Sequence, residues 1–252
     1  ISARPFWGTI FLLILISFVL YGNTIWNDYG FDDFLVVTDN PYVQKGIAGI
    51  PEISEKPYAV GKGVVLDRRP ITLITFALEH EFFGNNPHVS HFINVLLFSI
   101  CLILICIFLT KVFCLDEIHP FLPLIITLFF AAHPIHTEVV NSLKNRDEIL
   151  VMIFGMLFLL FGHYYHTKTK HRWLYITVGI LFMLFMLFSK ITSIIFVAIF
   201  ILMWLFYSYF KNKESVSIAK KWKDLFFFYA NTKTRRRLFY LTVAVVFILF
   251  IS

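Results

Sequence analysis

Charged residues are almost absent from the long apolar stretches of this sequence, and cysteine is scarce. The three cysteines, Cys101, Cys106 and Cys114, form no CxxC pair and have no metal-like spacing, so redox chemistry is not indicated. Cysteines within an apolar segment are usually small buried hydrophobic residues. The first apolar stretch also lacks a clear small-residue cleavage site and is followed by many more, so we expect a retained helix rather than a signal peptide.

The sequence is instead rich in apolar residues arranged in long blocks. Hydrophobic residues make up 58% of the 252 positions and the mean hydropathy is +0.76, whereas soluble domains are about 45–50% apolar. A transmembrane helix needs about 20 apolar residues, which predicts an all-α polytopic membrane protein with about seven transmembrane helices. The predicted spans are 6–22, 89–113, 119–133, 148–165, 173–189, 191–210 and 238–252. Because the last span ends abruptly, we expect the front part of a longer protein.

The distribution of basic residues predicts the orientation of these helices. The net charge is +6, and Lys and Arg concentrate in the loops 167–172 and 211–237. Positive residues favour the cytoplasmic side, so both loops and the N-terminus are expected there. The outer loops 23–88 and 134–147, with the turn 189–193, are then expected together on the opposite face.

Two of these loops are predicted to carry structure of their own. The basic loop 211–237 fits an orientation signal that contacts anionic lipids, with an interfacial helix at 219–229, and it is too short a patch beside a membrane to indicate nucleic-acid binding. The first outer loop, 23–88, is too long for a simple connector. Its amphipathic stretch 71–83 predicts a helix lying along the membrane surface.

The adjacent carboxylates Asp32 and Asp33 are the first candidates for chemistry. A hydroxyl nucleophile needs a nearby carboxylate to take its proton, and two close carboxylates raise one pKa or bind a cation. The alternative is that they are turn formers beside Gly30. Aromatic neighbours on both sides favour the functional interpretation.

A second set of ionisable residues borders the later spans. The run from His133 through His136 to Glu138 packs ionisable groups around a proline; it matches no metal motif, although a divalent cation stays an alternative. Lys190 follows a very apolar helix and is a candidate cation for a lipid-linked phosphate, or else it extends to the outer headgroups. Arg69 is suited to phosphate contact, or else belongs to a solvated turn.

Taken together, these motifs resemble a known family. In chain order they are Phe31-Asp32-Asp33, Asp39-Asn40-Pro41-Tyr42-Val43, Arg69-Pro70-Ile71-Thr72, His91-Phe92-Ile93-Asn94-Val95-Leu96-Leu97, His133-Pro134-Ile135-His136-Thr137-Glu138, Arg146-Asp147 and Ser189-Lys190. This order is similar to the membrane half of the transmembrane-and-tetratricopeptide-repeat O-mannosyltransferases and their bacterial relatives, within the glycosyltransferase C superfamily. The resemblance extends from about residue 28 to about residue 193.

The resemblance implies an inverting transferase whose membrane domain includes all of residues 1–252. The donor would be a sugar on a polyprenyl- or dolichyl-phosphate carrier, and the acceptor a protein hydroxyl, on the non-cytoplasmic face of the endoplasmic reticulum or of a bacterial plasma membrane. The implied roles are catalytic base for Asp32 or Asp33, and second acidic residue for Glu138. Contacts to the donor or its phosphate are implied for Arg69, Arg146, Lys190, His133 and His136.

The sequence also departs from the family pattern. Ile191 follows Lys190 where the relatives typically have a glutamate, and no tetratricopeptide repeat is present. An oligosaccharyltransferase would use the same acid in the first outer loop, so that alternative stays open. A transporter should carry charges at the membrane midplane, and here the charges gather at one face, which favours an enzyme over a transporter or a non-catalytic subunit.

Overall fold

The computed structural model describes residues 3–61, 64–65, 67–114 and 119–211. Ten α-helices occur in this part of the chain: α1 (Ala3–Tyr21), α2 (Phe31–Asp33), α3 (Ile50–Ile53), α4 (Pro70–Phe83), α5 (Pro87–Lys111), α6 (Leu122–Ala131), α7 (Ile135–Asn141), α8 (Arg146–Thr167), α9 (Arg172–Ser189) and α10 (Ile195–Lys211). Short 3₁₀ segments lie at Gly22–Trp26, Val43–Gly49, Leu143–Asn145 and Ile191–Ile194, and a single π-helical turn at Phe34–Thr38. Two short strands, β1 (Val60–Gly61) and β2 (Val64–Val65), pair antiparallel with Val60 opposite Val65.

The described residues form an all-α membrane protein, as predicted. The segments long and apolar enough to cross a membrane are Trp7–Trp26, Pro87–Lys111, Leu143–Thr167 and Arg172–Ser189. The helices α6 and α7 form a bent pair, and if this pair counts as one span the total rises from four to five. The predicted number of seven is not confirmed. The segment 238–252 and the basic loop beyond Lys211 lie outside the described residues, and Ile191–Leu205 is apolar but shorter than the other four.

The predicted span 119–133 differs most from the structure. Its helix, α6, has only 10 residues and starts at Leu122. The chain then bends by 70° into α7. Pro134 accounts for the break, because proline has no backbone N–H and disfavours helical geometry in the residue before it. A bend at this point places Glu138 on a separate short helix.

The helix α5 lies at the centre of the bundle, against α1, α6 and α8. Its buried residues Val95, Phe98 and Leu102 belong to one apolar core with residues of the other three helices. Two side chains of α1 secure the packing: the Ser17 hydroxyl donates to the Val95 carbonyl at 3.2 Å and the Tyr21 hydroxyl to the Ala131 carbonyl at 2.8 Å. Since lipid offers no hydrogen-bond partners, such polar contacts are satisfied inside the protein.

The first outer loop folds into a small layer over one end of the bundle. Its apolar core contains Val36, Val43, Ile53, Tyr58, Leu73, Phe76 and Leu143. The predicted helix 71–83 is observed as α4, and it buries Leu73, Phe76 and Ala77 within this layer. Leu143 comes from the second outer segment, so the two segments share one core.

Candidate active site

Three segments that are distant in sequence meet at one end of the bundle. The first outer loop supplies Asp32 and Arg69, the start of α8 supplies Asp147, and the break between α9 and α10 supplies Lys190. Asp32 pairs with Lys144, and both Arg69 and Lys190 pair with Asp147. The charged outer segments, expected on one face from the sequence, are therefore in contact.

Asp33 is a structural residue of this end. Its side chain is buried, with Oδ2 accepting from the Gly30 N–H at 2.9 Å and Oδ1 accepting from the Lys144 N–H at 2.8 Å. Both oxygens are therefore occupied by backbone donors. A carboxylate so engaged is poorly placed to take a proton from a substrate.

Asp32, in contrast, faces an open cavity. Its side chain is 50% exposed and makes an ion pair with Lys144. Asp32 also lines a cavity of about 1080 Å³ whose walls include Glu138, Trp26, Asn27, Asp28, Gly30, Asp33, Pro134, Thr137, Asn141 and Ser142. Of the two adjacent aspartates, Asp32 is the one that a substrate can reach.

Glu138 faces the same cavity from α7. It is exposed, and no ion pair of its carboxylate occurs within the described residues. The bend at Pro134 turns α7 so that Glu138 and Thr137 both border the cavity. Asp32 and Glu138, two of the three acids to which the family resemblance assigns catalytic roles, thus line one cavity.

The two histidines of the second outer segment have different surroundings. The His136 ring lies 4.2 Å from the Phe130 ring and 5.6 Å from the Phe98 ring, measured between centroids. The His133 Nδ1 accepts from the Ile135 N–H at 3.3 Å, at the start of α7. Neither lines the cavity, and both fit the predicted role of ordering the loop better than that of contacting a donor.

Arg69 and Lys190 converge on a single carboxylate oxygen. The distances from Asp147 Oδ2 are 2.9 Å to the Arg69 guanidinium and 3.2 Å to the Lys190 ammonium. Arg69 also lies 4.6 Å from the centre of the Tyr58 ring. Lys190 makes a second ion pair with Glu148. Arg69 and Lys190 thus share one buried carboxylate, and each positive charge has an acidic partner within the protein.

The surroundings of Lys190 keep it charged. Burial lowers the pKa of Lys190, but its hydrogen bond to Glu148 and the negative charges of Asp147 and Glu148 outweigh burial, and the net effect raises the pKa above the usual 10.5. Nearby, burial and the charge of Asp147 raise the pKa of Tyr58, whose hydroxyl donates to the Lys144 carbonyl at 2.5 Å. Both groups therefore stay protonated at neutral pH.

Arg146 is not placed as the sequence suggests. It is fully buried, and its guanidinium donates to Asn94 Oδ1, Thr75 Oγ1, the Ser90 carbonyl and both oxygens of Glu79. The five N–H groups of an arginine are thereby all engaged. Because no donor is left over, the geometry corrects the predicted phosphate contact, and Arg146 instead ties α4 and α5 to the start of α8.

Three residues of this end are absent from the predicted site: Lys144, Asp147 and Glu148. They lie in the charged run at the start of α8, and the density of that run was the available signal. Sequence alone could not pair Lys144 with Asp32 across 112 positions. Glu148 also provides an acidic partner for Lys190. The residue that follows the lysine, Ile191, is apolar and cannot do so.

A metal site is not evident at this end. Among the residues that the structure describes, no group of three or more His, Cys, Asp or Glu side chains could hold a metal ion. Asp32 is instead paired with a lysine, and Asp147 with a lysine and an arginine. The carboxylates of Asp32 and Asp147 are thus each balanced by side-chain cations.

The fold and this charged end define a polytopic α-helical membrane protein in which an accessible carboxylate and paired cations lie at one end of the bundle. In sequence, the chain is related to protein O-mannosyl-transferases. It is 29% identical over 160 residues to protein O-mannosyl-transferase TMTC1 of Homo sapiens. The matched region covers 61% of this chain and 18% of that protein. It is 25% identical over 168 residues to protein O-mannosyl-transferase F38B6.6 of Caenorhabditis elegans. This match covers 64% of this chain and 23% of that protein.

A third relative agrees with these two. Protein O-mannosyl-transferase TMTC2 of Homo sapiens is 28% identical over 157 residues, covering 58% of this chain and 17% of that protein. The matched region spans less than a quarter of the length of each of these relatives. The chain matches no protein-family model and no solved structure. These similarities confirm the resemblance that the motifs predict.

Proposed function

We propose that this chain carries the membrane part of a glycosyltransferase that moves a sugar from a lipid-linked phosphate to a protein hydroxyl. The donor is a polyprenyl- or dolichyl-phosphate sugar, and transfer takes place on the non-cytoplasmic face of the endoplasmic reticulum or of a bacterial plasma membrane. The names of the relatives support a protein O-mannosyl-transferase.

One spatial relationship carries the proposal. Asp32 reaches an open cavity and is paired with Lys144, while Arg69 and Lys190 converge on Asp147. Three residues of extended chain span at most about 11 Å, so the backbone positions of Lys144 and Asp147 are no further apart than that. An accessible carboxylate and a pair of cations, attached to partners this close along the chain, suit the two ends of a glycosyl transfer.

The reaction follows from these positions. An Asp32 oxygen accepts the proton of the acceptor hydroxyl, and the hydroxyl oxygen attacks the anomeric carbon of the sugar. The bond from that carbon to the phosphate oxygen breaks, and its electron pair stays with the phosphate. The positive charges of Arg69 and Lys190 stabilise the negative charge that develops there. Displacement in a single step inverts the anomeric configuration.

The test is transfer of a sugar by the purified full-length protein to an acceptor peptide. A single carboxylate base contributes about 10²–10⁴-fold to rate, so Asp32→Asn should lower kcat by about that factor. Asp39→Asn is the matched control, because Asp39 is exposed and lies outside the cavity wall. Full activity of Asp32→Asn would show that another group takes the proton.

The mass of the transferred glycan tests the size of the donor. A single hexose on the acceptor is the expected result and supports a mannosyl-type transfer. Addition of a complete oligosaccharide would identify an oligosaccharyltransferase instead. Mass spectrometry of the acceptor peptide separates the two.

A further inference from the structure

The cation site beside Lys190 is already neutralised by the protein itself. Arg69 and Lys190 carry two positive charges, and their partners Asp147 and Glu148 carry two negative charges. The phosphodiester of a lipid-linked sugar brings one further negative charge. It would enter a site of no net charge, next to two carboxylates, unless one of them moves away.

The two carboxylates differ in how firmly they are held. Asp147 is fully buried and accepts from both cations through Oδ2. Glu148 has a side chain that is 43% exposed, and its one ion pair among the described residues is with Lys190. Separating a fully buried carboxylate such as Asp147 from its cations is costly, whereas a partly exposed ion pair contributes little. Asp147 is therefore the permanent partner and Glu148 the exchangeable one.

Glu148 also has a favourable position once it leaves Lys190. It lies in the first turn of α8, where the partial positive charge of the helix N-terminus stabilises a carboxylate. Its outer side is open to solvent. Rotation of the side chain away from Lys190 thus exchanges an ion pair for hydration and the helix dipole.

We propose that Glu148 occupies the place of the donor phosphate on Lys190, that the phosphate displaces it on binding, and that its return helps to expel the carrier phosphate after transfer. The inference rests on the proposed function, since it assumes that Lys190 binds that phosphate. When the sugar leaves, the carrier phosphate becomes a monoester with more negative charge than the donor. A returning carboxylate competes with this tightly held product.

The proposal predicts an unusual direction of effect. Glu148→Gln removes the competing charge while keeping the size of the side chain, so a polyprenyl phosphate should bind more tightly, by about threefold to tenfold. A purely structural role for Glu148 predicts the opposite, because loss of its ion pair would loosen Lys190. In steady-state assays, the inhibition constant for the carrier phosphate should fall by a similar factor.

The experiment is equilibrium binding of undecaprenyl phosphate to the full-length protein in detergent. Glu52→Gln is the matched control, because Glu52 also pairs with a lysine, at 2.6 Å, and is 44% exposed. Glu148→Asp, which keeps the charge on a shorter side chain, should bind with an affinity between those of wild type and Glu148→Gln. If Glu148→Gln binds the lipid with the same affinity as wild type, or more weakly, the proposal is overturned.

The same assay separates this inference from the proposed function. Lys190→Met should lose binding of the lipid whether or not Glu148 exchanges with the phosphate. If wild type binds the lipid and Glu148→Gln binds it no more tightly, only the exchange is wrong. If wild type does not bind the lipid at all, the assignment of the phosphate site is wrong, and the exchange fails with it.

Discussion

The carboxylate of Asp33 accepts a hydrogen bond from the backbone N–H of Lys144 at 2.8 Å, across 111 positions of sequence. The side chain of the same lysine pairs with Asp32. Two neighbouring aspartates of the first outer loop are thus attached to one residue of the second. Through this contact Asp33 holds the loop in place, and Asp32 is left facing the cavity.

The first prediction separates the two aspartates by stability. Asp33→Asn replaces one accepting oxygen by an NH₂ group that faces a backbone N–H, so a buried hydrogen bond is lost at a cost of about 1–3 kcal/mol. Asp32→Asn changes an exposed side chain and should change the free energy of unfolding by less than about 1 kcal/mol. Thermal unfolding in detergent measures both. Equal losses would contradict the division of roles.

Sequence reasoning reaches the elements of this site but not their pairing. Apolar length and charge asymmetry predicted α5, α8 and α9 and indicated one charged outer face. The bend at Pro134 was not predicted, because an apolar run gives the length of a segment but not its direction. The burial of Arg146 was equally inaccessible, since an arginine beside acids has the same local pattern whether it contacts a ligand or the protein.

The second prediction concerns the buried pair of Arg146 and Glu79. Arg146→Met leaves the carboxylate of Glu79 buried with its main partner removed, which costs about 3–5 kcal/mol. The double variant Arg146→Met with Glu79→Leu removes both charges, so it should recover much of that loss. Chemical unfolding in detergent of wild type, the two single variants Arg146→Met and Glu79→Leu, and the double variant gives the coupling energy. If the double variant is no more stable than Arg146→Met, the ion pair is not what destabilises the single variant.

The third prediction is a pH dependence that appears only at high pH. The folded protein raises the pKa of Lys190 above 10.5, so its ion pairs contribute stability fully below the unfolded pKa, and this contribution is lost as pH rises through the folded pKa. The stability difference between wild type and Lys190→Met should therefore be constant from pH 7 to pH 9. It should shrink only above pH 10.5. Thermal unfolding across this range measures the difference.

An earlier change would contradict the assignment of charge at Lys190. If the difference already shrank between pH 7 and pH 9, Lys190 would be losing its proton near neutrality, as an unpaired buried lysine does. Lys190→Arg provides the control, because arginine stays charged throughout this range.

The fourth prediction tests the contact between α8 and α10 beneath the site. A Cβ added to Gly155 would lie 2.6 Å from the ring of Phe196, which is buried, and such overpacking costs about 1–3 kcal/mol. Gly155→Ala should lower stability by that amount, although alanine is the better helix former. Gly8→Ala is the matched control, since nothing lies within 4 Å of its added Cβ, and it should be neutral or slightly stabilising. Adding Phe196→Leu to Gly155→Ala should recover part of the lost stability by relieving the clash. If no stability is recovered, the loss does not arise from this contact.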